Sequence, residues 1–289
     1  MHIASWENVR PPGLGLGGSG GSATRDSVVD SFPTVQRQWE GYEPEMYTDS
    51  IGLVTTGIGN KIDDGDATHA SGMDGYGPAL KLPWVHKSDG KPATQAEIIQ
   101  DWQTVKAAHK ASGSYDAPTD RKITQLKLSD LAIQDLVASQ LITNEHDLVK
   151  SLPGFASFPA DAQMVIHGMA WAMGGGFIPA DGFHTFAAAA NNQNWPAAKA
   201  ASAFRGAAPQ RKAGHDLMFD NAARVRASNA SYDTLWYPRV APATALGGAL
   251  AVAKKPVVVV ATLLGLVAIG GGIYVATRPV GALRRVPSL

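Results

Sequence analysis

Apolar residues recur at helical spacing through most of the chain. Thr94-Gln-Ala-Glu97 forms a capping box ahead of Ile98, Trp102, Val105 and Ala108, which share one helix face. A second periodic stretch runs from about Ser129 to Thr143, with Ile133, Leu136, Val137 and Leu141 as its stripe. Ala160 to Met173 predicts another helix, with Ala162, Val165, Ile166, Met169, Ala170 and Met173 on one face, and Gly174-Gly175-Gly176 stops it. Asn194 is the expected N-cap of a short alanine-rich helix. Pro209 suits the first position of a last helix that buries Leu217, Phe219, Ala222 and Val225. An earlier helix is expected to end near Glu40. Only one stretch reads as β: Glu45 to Asp49, a turn through Ser50-Ile51-Gly52, then Leu53 to Gly59. The pattern predicts an α+β fold, mainly α, with a small hairpin directly after a helix.

A different pattern lies near the end of the sequence. Pro256 to Thr277, PVVVVATLLGLVAIGGGIYVAT, has no charged residue, and at 1.5 Å per residue it is long enough to cross a hydrocarbon layer of ~30 Å. A core helix would show polar positions on one side and no basic flanks, a signal peptide would lie at the other end, and a strand would be shorter. The expectation is a transmembrane helix, in which Ala268 and Gly272 make a small-xxx-small pair.

Composition sharpens the division. The 289 residues carry 25 Lys plus Arg against 25 Asp plus Glu, yet Lys254, Lys255, Arg278, Arg284 and Arg285 all follow residue 253 with no acid among them. Residues 1–253 are therefore acidic by five charges, which argues against nonspecific nucleic-acid binding. No cysteine is present, excluding a disulfide framework, thiol catalysis and cysteine-containing zinc sites. Gly13 to Ser22 contains a literal G-x-G-x-x-G, but Pro11-Pro12 precedes it where a dinucleotide site needs a strand; a flexible linker is the better reading. Met1 to Arg25 shows no apolar signal-peptide core. The expected organisation is a flexible Gly-rich segment at 1–27, a folded domain at 28–237, an Ala/Pro/Gly spacer at 238–255, the membrane helix at 256–277 and a basic tail at 278–289.

The residues around the hairpin carry the chemistry. Glu40-Gly-Tyr-Glu-Pro-Glu-Met-Tyr47-Thr-Asp49-Ser-Ile-Gly52-Leu-Val-Thr55-Thr-Gly57-Ile-Gly59-Asn60 resembles the catalytic signature of phage-type lysozymes, glycoside hydrolase family 24: a Glu after the first helix, eight residues, an Asp, five residues, a Thr, then Gly-x-Gly. Gly168-Met-Ala-Trp171-Ala-Met-Gly174, Asn194-Trp195-Pro-Ala-Ala and Ala208-Pro209-Gln210-Arg211 extend the likeness, which covers residues 30–230 with a longer region from Asp63 to Lys91. Two positions depart from it. Asn60 stands where members usually carry a structural His, and Ala172 where they carry Asn or Gln.

The resemblance implies a two-lobed lysozyme-like fold, with a small β-hairpin lobe and a helical lobe, and a muramidase that needs no cofactor and no metal. Glycosidic cleavage takes a protonated carboxylic acid at the leaving oxygen and a second polar group that orients water. Glu40 would be the acid, Asp49 and Thr55 would hold the water, and Arg211, Gly57 and Gly59 would support substrate or site. The implied partners are bacterial peptidoglycan, a lipid membrane through residues 256–277 and other virion proteins. A phage particle would deliver a single-pass, membrane-anchored enzyme to the wall without an export signal. A free endolysin, a secreted antibacterial effector and a non-catalytic wall-binding or membrane structural protein are the alternatives.

The same residues also have plainer readings. Outside the motif, Glu40, Glu43 and Glu45 would be a solvated helix end and Thr55 an ordinary strand residue. Asp63-Asp64-Gly-Asp66 lacks calcium-loop alternation and reads as a polar turn. His69, His86, His109, His146, His167, His184 and His215 show no ligand spacing and are expected at the surface or satisfied in the core. Trp171 and Trp195 are expected in the core.

Overall fold

The computed structural model describes residues 22–65, 72–112, 117–204, 207–228 and 230–241. In chain order they form α1 (Asp26–Glu40), β1 (Glu43–Thr48), β2 (Val54–Gly57), β3 (Asn60–Lys61), β4 (Val85–His86), α2 (Gln95–Ser112), α3 (Ala117–Ile123), β5 (Leu126–Lys127), α4 (Asp130–Ser151), α5 (Ala160–Met173), α6 (Phe177–Ala180), α7 (His184–Asn191), α8 (Trp195–Ala201) and α9 (Pro209–Ser228). Among the described residues helix outweighs strand by 57% to 8%, so this is an α+β fold that is mainly α.

The expected membrane helix requires correction. Among the described residues no helix is long and apolar enough to cross a membrane, and residues 256–277, like the spacer from 242 onward and the basic tail, lie outside the described residues. The longest described helix, α4, has 22 residues but carries Asp130, Asp135, Glu145, Asp147 and Lys150. A fold class ending in a transmembrane helix, and with it a single-pass, virion-membrane location, is therefore not supported.

The core is organised around α5, which packs against α1, α4 and α9. Every residue from Ala160 to Ala170 is buried, so the helix is enclosed on all sides. It starts and stops where the pattern placed it, with Gly174 leaving the helix at φ 89°. Helix α2 opens on the reciprocal capping box, Thr94 N–H donating to Glu97 at 2.8 Å and Glu97 N–H to Thr94 Oγ1 at 3.4 Å. Helix α4 outruns its expected end at Thr143 by two turns. Asn144 and Leu148 prolong the buried stripe, and the chain breaks only at Leu152, the residue before Pro153. In α9 it is Met218, with Phe219, Ala222 and Val225, that enters the core, while Leu217 stays half-buried.

β1, β2 and β3 form an antiparallel sheet in that order. The β1–β2 ladder pairs Glu43 with Gly57, Tyr47 with Thr55 and Thr48 with Val54, and its register shifts between Glu43 and Tyr47, where Pro44 offers no N–H. β4 and β5 make a second pair that periodicity did not foretell; each has two residues, too few for a pattern.

Polar groups inside the core are tied to the chain ends. Glu145 of α4 accepts from Ser22 Oγ (2.7 Å), Ala23 N–H (2.9 Å), Thr24 N–H (2.9 Å) and the Thr24 hydroxyl. Burial pulls its carboxyl up, but these hydrogen bonds outweigh that and hold it below the ordinary Glu range. Thr24 Oγ1 also lies 2.8 Å from His167 Nε2 on α5. His167 and His215, the latter on α9, are enclosed, and burial drives both down to about 4, against Glu145 in the first case and reinforced by Arg211 in the second.

An acid-sensitivity follows. Unfolded histidines titrate near pH 6.5, so the unfolded chain takes up protons that these two folded rings refuse. Stability is full above about pH 6.5 and falls as the pH drops to about 4, each ring contributing up to about 1.4 kcal/mol per pH unit. Urea midpoints measured at pH 7, 6 and 5 should decline steadily; a midpoint constant over that range contradicts neutral burial of both rings.

Candidate active site

Glu40 is the last residue of α1. The helix ends there because Gly41 takes φ 79°, a left-handed conformation open to glycine, and Glu40 is left with its side chain about a quarter exposed. Two groups hold its Oε1: Gln36 Nε2, one turn back on α1, donates at 3.1 Å, and Arg211 Nη2, from the first turn of α9, forms an ion pair. The guanidinium is itself buried and lies over the ring of Trp39, 5.7 Å from its centroid. Trp39 fits against α9 because residue 214 is glycine; a Cβ there would meet Trp39 Cζ2 at 2.7 Å.

Asp49 follows β1 and shapes the hairpin turn. Its Oδ1 accepts from the N–H groups of Ile51 (3.0 Å) and Leu53 (2.9 Å), and its own N–H donates to the Leu53 carbonyl at 2.9 Å. That pairing sets Asp49 opposite Leu53, two residues along from the Tyr47–Thr55 pair. Asp49 and Thr55 therefore share one face of the hairpin. Thr55 is buried, and its hydroxyl donates to the Leu53 carbonyl at 3.0 Å.

Gly57 and Gly59 sit in the turn from β2 to β3 with φ 68° and 92°. At Gly57 a Cβ would also stand 2.9 Å from Asn60 Oδ1 and 3.1 Å from Ile133. Their contribution is to the turn itself. Asn60 Oδ1 accepts weakly from Ile58 N–H at 3.4 Å, and Trp171 Nε1 on α5 donates to the Ile58 carbonyl at 3.0 Å. Trp171 thus ties the turn to α5, while Ala172 beside it is exposed. Trp195 is fully buried.

Two helices grip the hairpin from outside. Lys106 of α2 donates to the Gly52 carbonyl at 2.8 Å and to Asp63 Oδ2 at 2.8 Å, and Asp63 Oδ2 also accepts from Val54 N–H at 3.1 Å. His109 lies so close to Gly52, at φ 86°, that a Cβ there would be 2.7 Å from its Cδ2. From α3, Asp120 accepts from Thr48 N–H at 2.9 Å and Arg121 pairs with Glu43. The polar turn expected at Asp63–Asp66 is fastened in the same way: Asp63 Oδ1 accepts from Gly65 N–H at 2.8 Å, with Asp66 outside the described residues.

The structure thus joins Glu40 to Arg211 and sets Asp49 beside Thr55. Sequence reasoning missed Gln36, Lys106 and His215. Gln36 and Glu40, like Arg211 and His215, are four residues apart on one helix face, a legible spacing. Lys106 lies four residues after Trp102 and three before His109, so helical spacing sets it beside the Trp102–Val105 face of α2. No protein-family model matches this chain, and no curated protein matches it.

Lys106→Met tests the grip on the hairpin. It removes the Lys106 ammonium from the Asp63 carboxylate, which is fully shielded from solvent, a change that costs about 3–5 kcal/mol. Urea denaturation should show a loss of that order; a loss below about 1 kcal/mol would mean the pair is dispensable.

Proposed function

We propose that this protein is a muramidase that hydrolyses the β-1,4 bond between N-acetylmuramic acid and N-acetylglucosamine in bacterial peptidoglycan. The observation that carries this reading is the anchored carboxyl of Glu40, held through one oxygen by Arg211 and Gln36, at the entry to a hairpin whose one face bears Asp49 and Thr55.

The division of labour follows from which atoms are already engaged. Glu40 Oε1 is taken by two donors, so Oε2 is the oxygen that carries the proton to the leaving glycosidic oxygen. Asp49 Oδ1 is used by the turn, which reserves Oδ2 for substrate water. The Thr55 hydroxyl spends its hydrogen on Leu53, so towards water it acts as an acceptor. A water that donates one hydrogen to Asp49 and one to Thr55 presents its lone pair to the anomeric carbon. As the C–O bond breaks, Glu40 protonates the departing oxygen and Asp49 takes the proton from the attacking water, leaving a new reducing end. With the water on the face opposite the acid, the outcome is inversion.

Release of reducing ends from purified peptidoglycan is the test. Glu40→Gln should abolish it while shifting the melting temperature by no more than about 5 °C. Asp49→Asn and Thr55→Val should each lower turnover by about 10²-fold or more. A wild-type chain that releases no reducing ends, or a Glu40→Gln variant that keeps more than about a tenth of the activity, sinks the proposal.

A further inference from the structure

Behind Glu40 the structure places two buried polar atoms that its hydrogen bonds leave open. Gln36 is fully buried, and because its Nε2 donates to Glu40, its Oε1 turns the other way, where no hydrogen bond among the described residues meets it. His215 sits one turn along α9 from Arg211 and presents a buried Nε2, also without a hydrogen-bond partner among the described residues. Both atoms face the same point on α5, the bare Cα of Gly168. A Cβ built there would lie 3.2 Å from His215 Nε2 and 3.7 Å from Gln36 Oε1.

The chemistry of the two atoms is complementary. An amide oxygen only accepts, and an imidazole nitrogen donates when it carries the ring proton. The His215 ring is neutral at physiological pH, since burial and the neighbouring Arg211 charge lower its pKa to about 4, so one nitrogen carries that proton. The ring is fixed edge-on to Trp39, with centroids 5.2 Å apart, and packs on Phe204.

We propose that His215, protonated on Nε2, is a positioning residue: it donates towards Gln36 Oε1 across one water over Gly168, and so aims Gln36 Nε2 at Glu40. An amide left free to flip would turn its oxygen towards the Glu40 carboxylate and repel it. The His215 donor forbids that flip, and Glu40 Oε1 keeps both of its donors. Gly168 serves the arrangement because any side chain at that position enters the space between the two groups. The inference rests on the reading of Glu40 as the general acid, and it assigns the buried histidine behind the site a part in the reaction.

The experiment has a spectroscopic and a kinetic arm, both on the full chain. In the first, 15N shifts of the His215 ring at neutral pH should report the Nε2–H tautomer, and in Gln36→Leu that proton should exchange faster. An Nδ1–H tautomer, or an Nε2 proton indifferent to Gln36→Leu, overturns the link. In the second, Gly168→Ala and His215→Phe should lower kcat on purified peptidoglycan about tenfold or more with KM within about twofold, the signature of a misaimed acid. His215→Gln, which keeps an N–H donor, should recover most of that loss. Unchanged kcat in both Gly168→Ala and His215→Phe overturns the positioning role even if His215→Phe folds poorly, because Gly168→Ala adds only a methyl. Absence of wild-type activity on peptidoglycan defeats the muramidase reading instead, and the tautomer then decides the His215–Gln36 link by itself.

Discussion

A helix buried on every side imposes conditions on everything around it. Apolar residues make up most of α5, yet Asp161, Gln163 and His167 are also enclosed, and each must find partners because a buried polar group without them is strongly unfavourable. Those partners come from the ends of the domain. Gln163 binds the Ala23 and Phe155 carbonyls and accepts from Arg25 N–H, while His167 meets Thr24. The route of the chain into α1 is therefore dictated by polar atoms on the core helix. Once α1 is fixed, so is the place where it ends, and Glu40 is its last residue.

The candidate site inherits two separate anchorages. Glu40 belongs to the α1–α5–α9 packing, whereas Asp49 and Thr55 belong to a hairpin held by α2 and α3. Each carboxylate has one oxygen committed to the protein frame, and the proposed reaction uses the other, a division that would aim a reacting group without freezing it. Preorganisation of this kind places most of the ordering in folding, before a substrate arrives.

Much of the helical framework was legible because long amphipathic segments carry their own punctuation. The capping box at Thr94, the N-caps Ser129 and Asn194, Pro209 and Gly174 all mark observed ends. What escaped the sequence was non-local or too short. β4 and β5 meet across some forty residues, with two residues each. α6, α7 and α3 are brief and lean on neighbours for their stability. At the site, the spacing of Glu40, Asp49 and Thr55 was readable, and the structure pairs Arg211 with Glu40. The side chains behind them were not readable, because Gln36 and His215 acquire meaning only when α1, α5 and α9 come together at Gly168.

The far end of the domain completes the pattern set by α5. Asp161 is fully buried and accepts from Asn221 Nδ2 at 3.0 Å and from the N–H groups of Trp236 at 2.8 Å and Tyr237 at 3.0 Å. Asn221 in turn binds the Arg239 carbonyl at 2.8 Å and accepts from Ala241 N–H at 2.9 Å. The segment after α9 is thus a strap whose backbone solvates a core carboxylate in place of water, and burial already raises the pKa of that carboxyl against these donors. A protease nick or a terminus placed before residue 236 would strip two of the three donors from Asp161 and leave a charge in the centre of the helical core. Tags, fusions or circular permutations that break the chain between α9 and Tyr237 have to contend with that charge.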